Sequence, residues 1–123
     1  MANPNIVNVT SIYGNTTYLI PSTTGATTWT ALTPATGTVN KVDNIVATNV
    51  TASAATVTVS INSATGGGGT AYRIAYQISV PPNAALIITD KSTSFYVGEG
   101  QSIVVTVGTG SAIELVAAYE AIS

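Results

Sequence analysis

The chain contains no cysteine and no histidine, a single methionine, and only three cations against five acids in 123 residues. Each shortage excludes something. Without cysteine there are no disulfides and no thiolate metal sites, and the redox compartment is left open. Without histidine, Ser-His-Asp and Cys-His catalysis are excluded, along with the commonest transition-metal ligand. Three cations cannot neutralise many phosphates, so nucleic acid is not an expected partner. Nor is there a basic stripe to meet an anionic membrane. No apolar run approaches the ~20 residues of a membrane helix. Met1-Ala2-Asn3-Pro4-Asn5 lacks the basic and apolar regions of a signal peptide, and the expectation is a protein made in a cytoplasm and incorporated into something there.

The scarcest commodity is charge. Asp, Glu, Lys and Arg make up 7% of the chain, where soluble domains carry about 25%. Thr, Ser, Asn, Ala and Gly take their place. The hydrophobic share of 46% is ordinary, so disorder, which pairs low hydrophobicity with high charge, is a poor account. A protein with so few surface charges tends to associate, and much of its surface is therefore expected to face other protein, the alternative being a Thr-rich β surface kept soluble by hydroxyls and amides.

Helical periodicity is nearly absent, while period-two alternation and β-branched residues recur throughout. Strands are expected over Ile6–Tyr13 and Thr16–Ile20, joined by a Gly14-Asn15 turn, and over Thr28–Leu32 around Trp29. Val39–Asn49 reads as a strand whose irregular apolar spacing calls for a bulge near Asp43-Asn44. Thr56–Ile61 places Val57, Val59 and Ile61 on one face and Thr58 and Ser60 on the other. Gly66 to Gly69 read as a flexible loop. Ala71–Val80 is expected to set Tyr72, Ile74, Tyr76, Ile78 and Val80 against Arg73 and Gln77. Ala85–Thr89, Phe95–Val97, Ile103–Val107 and Ile113–Tyr119 follow, separated by turn residues. So many short strands imply an all-β domain of two antiparallel sheets, a jelly-roll or immunoglobulin-like β-sandwich spanning residues 1–123, with residues 1–5 as an extended arm.

Sites of chemistry are hard to assemble. Asp43, Asp90, Glu99, Glu114 and Glu120 sit in turns, at the bulge or on a solvent face, where carboxylates are usually solvated or bonded to backbone amides. Lys91-Ser92 lies in a polar turn and not in the buried setting a nucleophilic pair needs. The glycine run lacks the Gly-Lys-Ser/Thr ending of a phosphate loop, and no spaced acidic pattern for calcium exists. Neither a cofactor nor catalysis is expected. Asn8-Val9-Thr10, Asn15-Thr16-Thr17 and Asn49-Val50-Thr51 match the glycosylation sequon and read as ordinary polar residues. The aromatics Tyr13, Tyr18, Trp29, Tyr72, Tyr76, Phe95, Tyr96 and Tyr119 suit core and interface packing, with a sugar-stacking platform as the alternative.

Several stretches carry a resemblance. These are residues 41–51 (KVDNIVATNVT), 55–61 (ATVTVSI), the 72–80 strand followed by Pro81, residues 85–91 (ALIITDK) and 95–103 (FYVGEGQSI), and the ending Ala118-Tyr119-Glu120-Ala121-Ile122-Ser123. Over its C-terminal two-thirds the chain resembles small virion structural proteins of tailed phages, particularly those of marine cyanobacteria. It departs from them at Gly98 and Gln101, where acidic residues are common. The resemblance implies a β-sandwich scaffold within a phage particle. The role it implies first is a capsid decoration or cement protein, a dimer or trimer seated on the major capsid protein or other virion proteins. A neck, tail or fibre component is the next reading, and a carbohydrate-binding module on the virion surface the third. Contacts are expected from the arm residues Asn3, Pro4 and Asn5, from Trp29 and its loop, and from the C-terminal Tyr119 and Ile122.

Overall fold

The computed structural model describes residues 10–123. Nine strands are arranged in two antiparallel sheets: β1 (Ile12–Leu19), β2 (Thr27–Thr28), β3 (Val39–Asn49), β4 (Ala55–Asn62), β5 (Ala71–Val80), β6 (Ala85–Thr89), β7 (Phe95–Val97), β8 (Ser102–Val107) and β9 (Ile113–Ile122). The first sheet runs β1-β9-β3-β6, with the short β7 also on β3; the second runs β2-β8-β4-β5. Only single 3₁₀ turns interrupt the strands, and no α-helix occurs among the described residues.

The pairings are nested. β1 pairs with β9, β2 with β8, β3 with β6 and β4 with β5. A long hairpin rolled upon itself produces this pattern, and its distribution over two four-strand paths is the jelly roll. An immunoglobulin arrangement would place β1 beside β2, and here they lie in different sheets.

The core fills the space between the sheets with small, stiff side chains. Val42, Ile45 and Ala47 of β3, and Ile113, Leu115 and Ala117 of β9, face Val57 and Val59 of β4 and Ile103, Val105 and Val107 of β8. Val42 and Ile45 are three residues apart, which strict alternation would send to opposite faces. A bulge solves this. The β3–β9 register shifts between Val42 and Asn44, leaving Asp43 as the extra residue. Asn44 Oδ1 then accepts the backbone N–H of Ala118 at 3.0 Å.

Buried polar side chains are matched to backbone groups. Asn49, fully buried, donates to the carbonyls of Ser53 and Val80, while its Oδ1 accepts from the Thr51 backbone N–H and hydroxyl. That sequon is closed to modification in the folded state. Asn40 donates to the Leu32 carbonyl.

Four expectations are corrected. Gly14-Asn15 is no turn: β1 passes straight through it because eight residues of β1 pair with β9 in unbroken register. The part of the expected first strand at residues 6–9 lies outside the described residues. The segment around Trp29 is two residues of strand followed by a 3₁₀ turn, Thr30–Leu32. The glycine loop is pinned down on the outer face of the second sheet. Asn62 Nδ2 donates to the Gly67 carbonyl, Gly67 N donates to Ser102 Oγ, and Ser102 Oγ donates to the Ala64 carbonyl. Gly67 has φ 79°, and a Cβ there would meet Thr28 Oγ1 at 2.6 Å. Finally, β5 does not keep one face. Its register against β4 shifts twice, and Gln77 adopts φ 47° with its N–H on Thr58 Oγ1 at 2.8 Å. Tyr72 and Tyr76 are therefore exposed rather than packed.

The bulge gives a direct test. Asn44→Ala would leave the Ala118 N–H without its acceptor and is expected to cost about 1–3 kcal/mol in urea unfolding, whereas Asn44→Asp, which keeps an acceptor, should cost less.

Candidate functional site

The surface that distinguishes this protein is the outer face of the first sheet. Inward residues of β3, β6 and β9 are fixed by the core, so their neighbours in sequence point outward. Pairing then aligns four of these in one row across the sheet. Tyr18 of β1 stands opposite Val116 of β9, Val116 opposite Val46 of β3, and Val46 opposite Ile87 of β6. With strands about 4.8 Å apart, the row crosses roughly 14 Å of sheet. Tyr18 is 77% exposed, Ile87 63% and Val116 43%, while Val46 is half-buried between its neighbours. Ile20 extends the row beside Tyr18, where both line a shallow groove with Glu114.

This row has a sequence signature that period-two reading overlooks. Each contributing strand carries three apolar residues in succession: Tyr18-Leu19-Ile20, Ile45-Val46-Ala47, Leu86-Ile87-Ile88 and Leu115-Val116-Ala117. A half-buried strand needs only every second residue apolar. A third apolar residue in the run therefore marks a face with something to cover it.

Glu114 apart, the charges of this face lie at its other end. Gly14, Glu120, Lys41 and Tyr96 form a second row by direct pairing. Lys41 and Glu120 line a polar groove with Asp43, Lys91 and Asn15. Two of the three cations of the chain thus lie along one groove, interleaved with two acids.

Two further acids, Asp90 and Glu99, serve turns. Asp90 caps the 3₁₀ turn Lys91–Thr93, accepting the Ser92 hydroxyl at 2.6 Å and the Ser92 N–H at 3.0 Å. The Ser92 hydroxyl above all, with the backbone amides, holds its carboxyl below the usual carboxylate range. Glu99 accepts the Gly37 N–H at 2.6 Å. Among the described residues no three acids converge on one point.

The outer face of the second sheet is different. The glycine loop buries Ser60, Asn62, Ser102 and Val104, and the rest of that face on β4 and β8 is Thr56, Thr58 and Thr106.

The residues singled out from the sequence do not gather at the apolar row. Asn3, Pro4 and Asn5 lie outside the described residues. Trp29 is 1% exposed, a core side chain with no ring surface to offer a partner or a sugar; its indole Nε1 has no protein acceptor. The ring of Tyr119 is half-buried and packs on the core, and Ile122 is buried beside Val39 at the end of β9.

The chain matches no protein-family profile and no curated protein sequence. Among solved structures it is similar to a chain of the virus-like particle of the extra small virus of the giant freshwater prawn Macrobrachium rosenbergii. That alignment has 18% identity, covers 97% of this chain and 84% of that chain, and has a TM-score of 0.35. At so low a TM-score the likeness carries no weight about function.

The division between core and outer row is measurable. Ile87→Thr and Val116→Thr should each change folding stability by no more than about 0.5 kcal/mol. Leu115→Ala, one residue away and fully buried, should cost about 2–5 kcal/mol in the same denaturant titration.

Proposed function

We propose that the chain is a virion structural protein, and specifically a capsid decoration or cement protein that seats the outer face of its first sheet on an assembled shell. The observation that carries this reading is the Tyr18–Val116–Val46–Ile87 row, an apolar stripe across four strands on a protein with almost no charge. Covering such a row removes apolar area from water at about 25 cal/mol per Å². The interleaved Lys41, Asp43, Lys91 and Glu120 at the other end of the face would fix orientation more than affinity. The jelly roll supports the reading without deciding it, because the fold serves capsids, lectins and enzymes alike. No catalytic step is assigned to any residue.

The test is the copy number and position of the chain in a cryo-EM map of its particle. A decoration protein occupies the repeated positions of the shell, on the order of hundreds of copies, while about a dozen at one vertex would overturn the reading in favour of a neck, tail or fibre part. Val116→Lys combined with Ile87→Lys should lower occupancy by more than about tenfold with the fold intact by circular dichroism.

A second reading is favoured by one observation. Tyr72 and Tyr76 stand exposed on the edge strand β5, with the Arg73 guanidinium 5.3 Å from the Tyr76 ring centroid. Exposed aromatics beside a cation suit a carbohydrate-binding surface. Glycan-array binding lost in Tyr72→Ala and Tyr76→Ala would support it, and no binding by the unaltered protein would dismiss it.

A further inference from the structure

A two-sheet sandwich has four edges, and each exposes backbone groups that can recruit another strand. Three of the edges here are blunted. β2 is two residues long. β5 carries two register shifts, the left-handed Gln77 and the charge of Arg73. The last edge of the first sheet is split into β6 and β7, five and three residues, by the 3₁₀ turn Lys91–Thr93. β1 is the exception. It is eight residues long, pairs with β9 without a shift, and contains no proline and no charge. Among the described residues nothing pairs with its outer edge.

We infer that β1 is a dimerisation edge, pairing antiparallel with β1 of a second copy across a two-fold axis at Thr16. The inference deepens the assembly reading above but stands on the edge itself. A two-fold axis perpendicular to the sheet keeps core faces with core faces. Directly opposed residues must then share a face, so their numbers differ by an even step.

With Thr16 opposite its own copy, the strand is complementary to itself. Ile12 meets Ile20 and Gly14 meets Tyr18 on the outer face; Tyr13 meets Leu19 and Asn15 meets Thr17 on the core face. Apolar residues meet apolar ones and polar residues meet polar ones, while the Tyr18 ring lies over a glycine with open space around it. The nearest alternatives do worse. Centring on Asn15 sets Leu19 opposite Ser11, and centring on Thr17 sets Tyr13 opposite Pro21.

The pairing also accounts for Tyr13, which points toward the core side of β1 yet is 65% exposed; the partner copy's Leu19 would cover it. The first sheets of the two copies become one eight-strand path, with Val46, Val116 and Ile87 still facing outward.

Sedimentation equilibrium of the free protein separates this from the shell-binding reading, since no particle is present. The expected mass is twice 12.4 kDa, and a monomer at about 100 μM, well above the micromolar range, would overturn the inference. Thr16 is exposed, so Thr16→Lys and Thr16→Glu should both fold. Each places like charges face to face at the axis and should weaken dimerisation on the order of tenfold. Mixing the two variants should restore a dimer made of one copy of each. Unchanged dimerisation in either variant, or no recovery on mixing, would exclude this register and overturn the inference. Loss of shell binding with the dimer intact would instead count against the proposed function alone.

Discussion

Everything in the first sheet hangs on the pairing of β3 with β9. It runs from Val39 opposite Ile122 to Asn49 opposite Ile113, and the other strands of that sheet attach to one or the other of the two. The single extra residue at Asp43 makes that pairing compatible with a core. Above the bulge, Ile45, Ala47 and Asn49 face inward; below it, Val42 does. Without the extra residue one half of the strand would turn its apolar side chains to water. Asn44, which accepts the Ala118 N–H, keeps the irregularity from leaving an orphaned donor. The outer row inherits its alignment from the same register, since Val46 meets Val116 only because the shift has already occurred.

Much of this could be read from the residues, and the failures have physical causes. Strands with clean alternation, such as Thr56–Ile61, extend in the structure to Ala55–Asn62 with Val57 and Val59 inward as expected. The bulge was legible because Val42 and Ile45 break the period-two alternation of the strand. Gly14-Asn15 misled because turn propensity is local, and eight cross-strand pairs with β9 outweigh it. The glycine loop misled in a similar way. Glycine makes a loop permissive, but Asn62, Ser102 and their backbone partners decide where it rests, and nothing local announces a bond between residues 67 and 102. Trp29 and its loop are expected contacts only through the virion reading, and aromatics suit core packing as well as interfaces. Trp29 is buried with Leu32 of the following turn in the core, and its backbone N–H donates to the Ile103 carbonyl of β8.

The scarcity of charge takes a definite shape in three dimensions. Asp90 and Glu99 are spent on backbone amides at turns, where a carboxylate replaces absent peptide acceptors. Lys41, Asp43, Lys91 and Glu120 gather along one groove. Apart from Arg73 on β5 and Glu114 on β9, what remains for the rest of the surface is hydroxyl, amide and apolar. Such a surface presents hydroxyl and amide groups to water, but it offers little long-range repulsion to keep copies apart.

The two sheets therefore have unequal outer faces, and the inequality follows from where the chain places its loops. The long β4–β5 connection folds back over part of the second sheet, so that Ser60 and Val104 are buried without any partner molecule. No loop among the described residues does the same for the row on the first sheet. A protein able to bury Val104 under a glycine loop has the means to hide Val116, and it leaves Val116 open instead. An apolar row opposed strand by strand across a sheet adds nothing to the core, which lies on the other side. Its four members have in common only the surface they form, and that surface is what the assembly reading assigns to a shell.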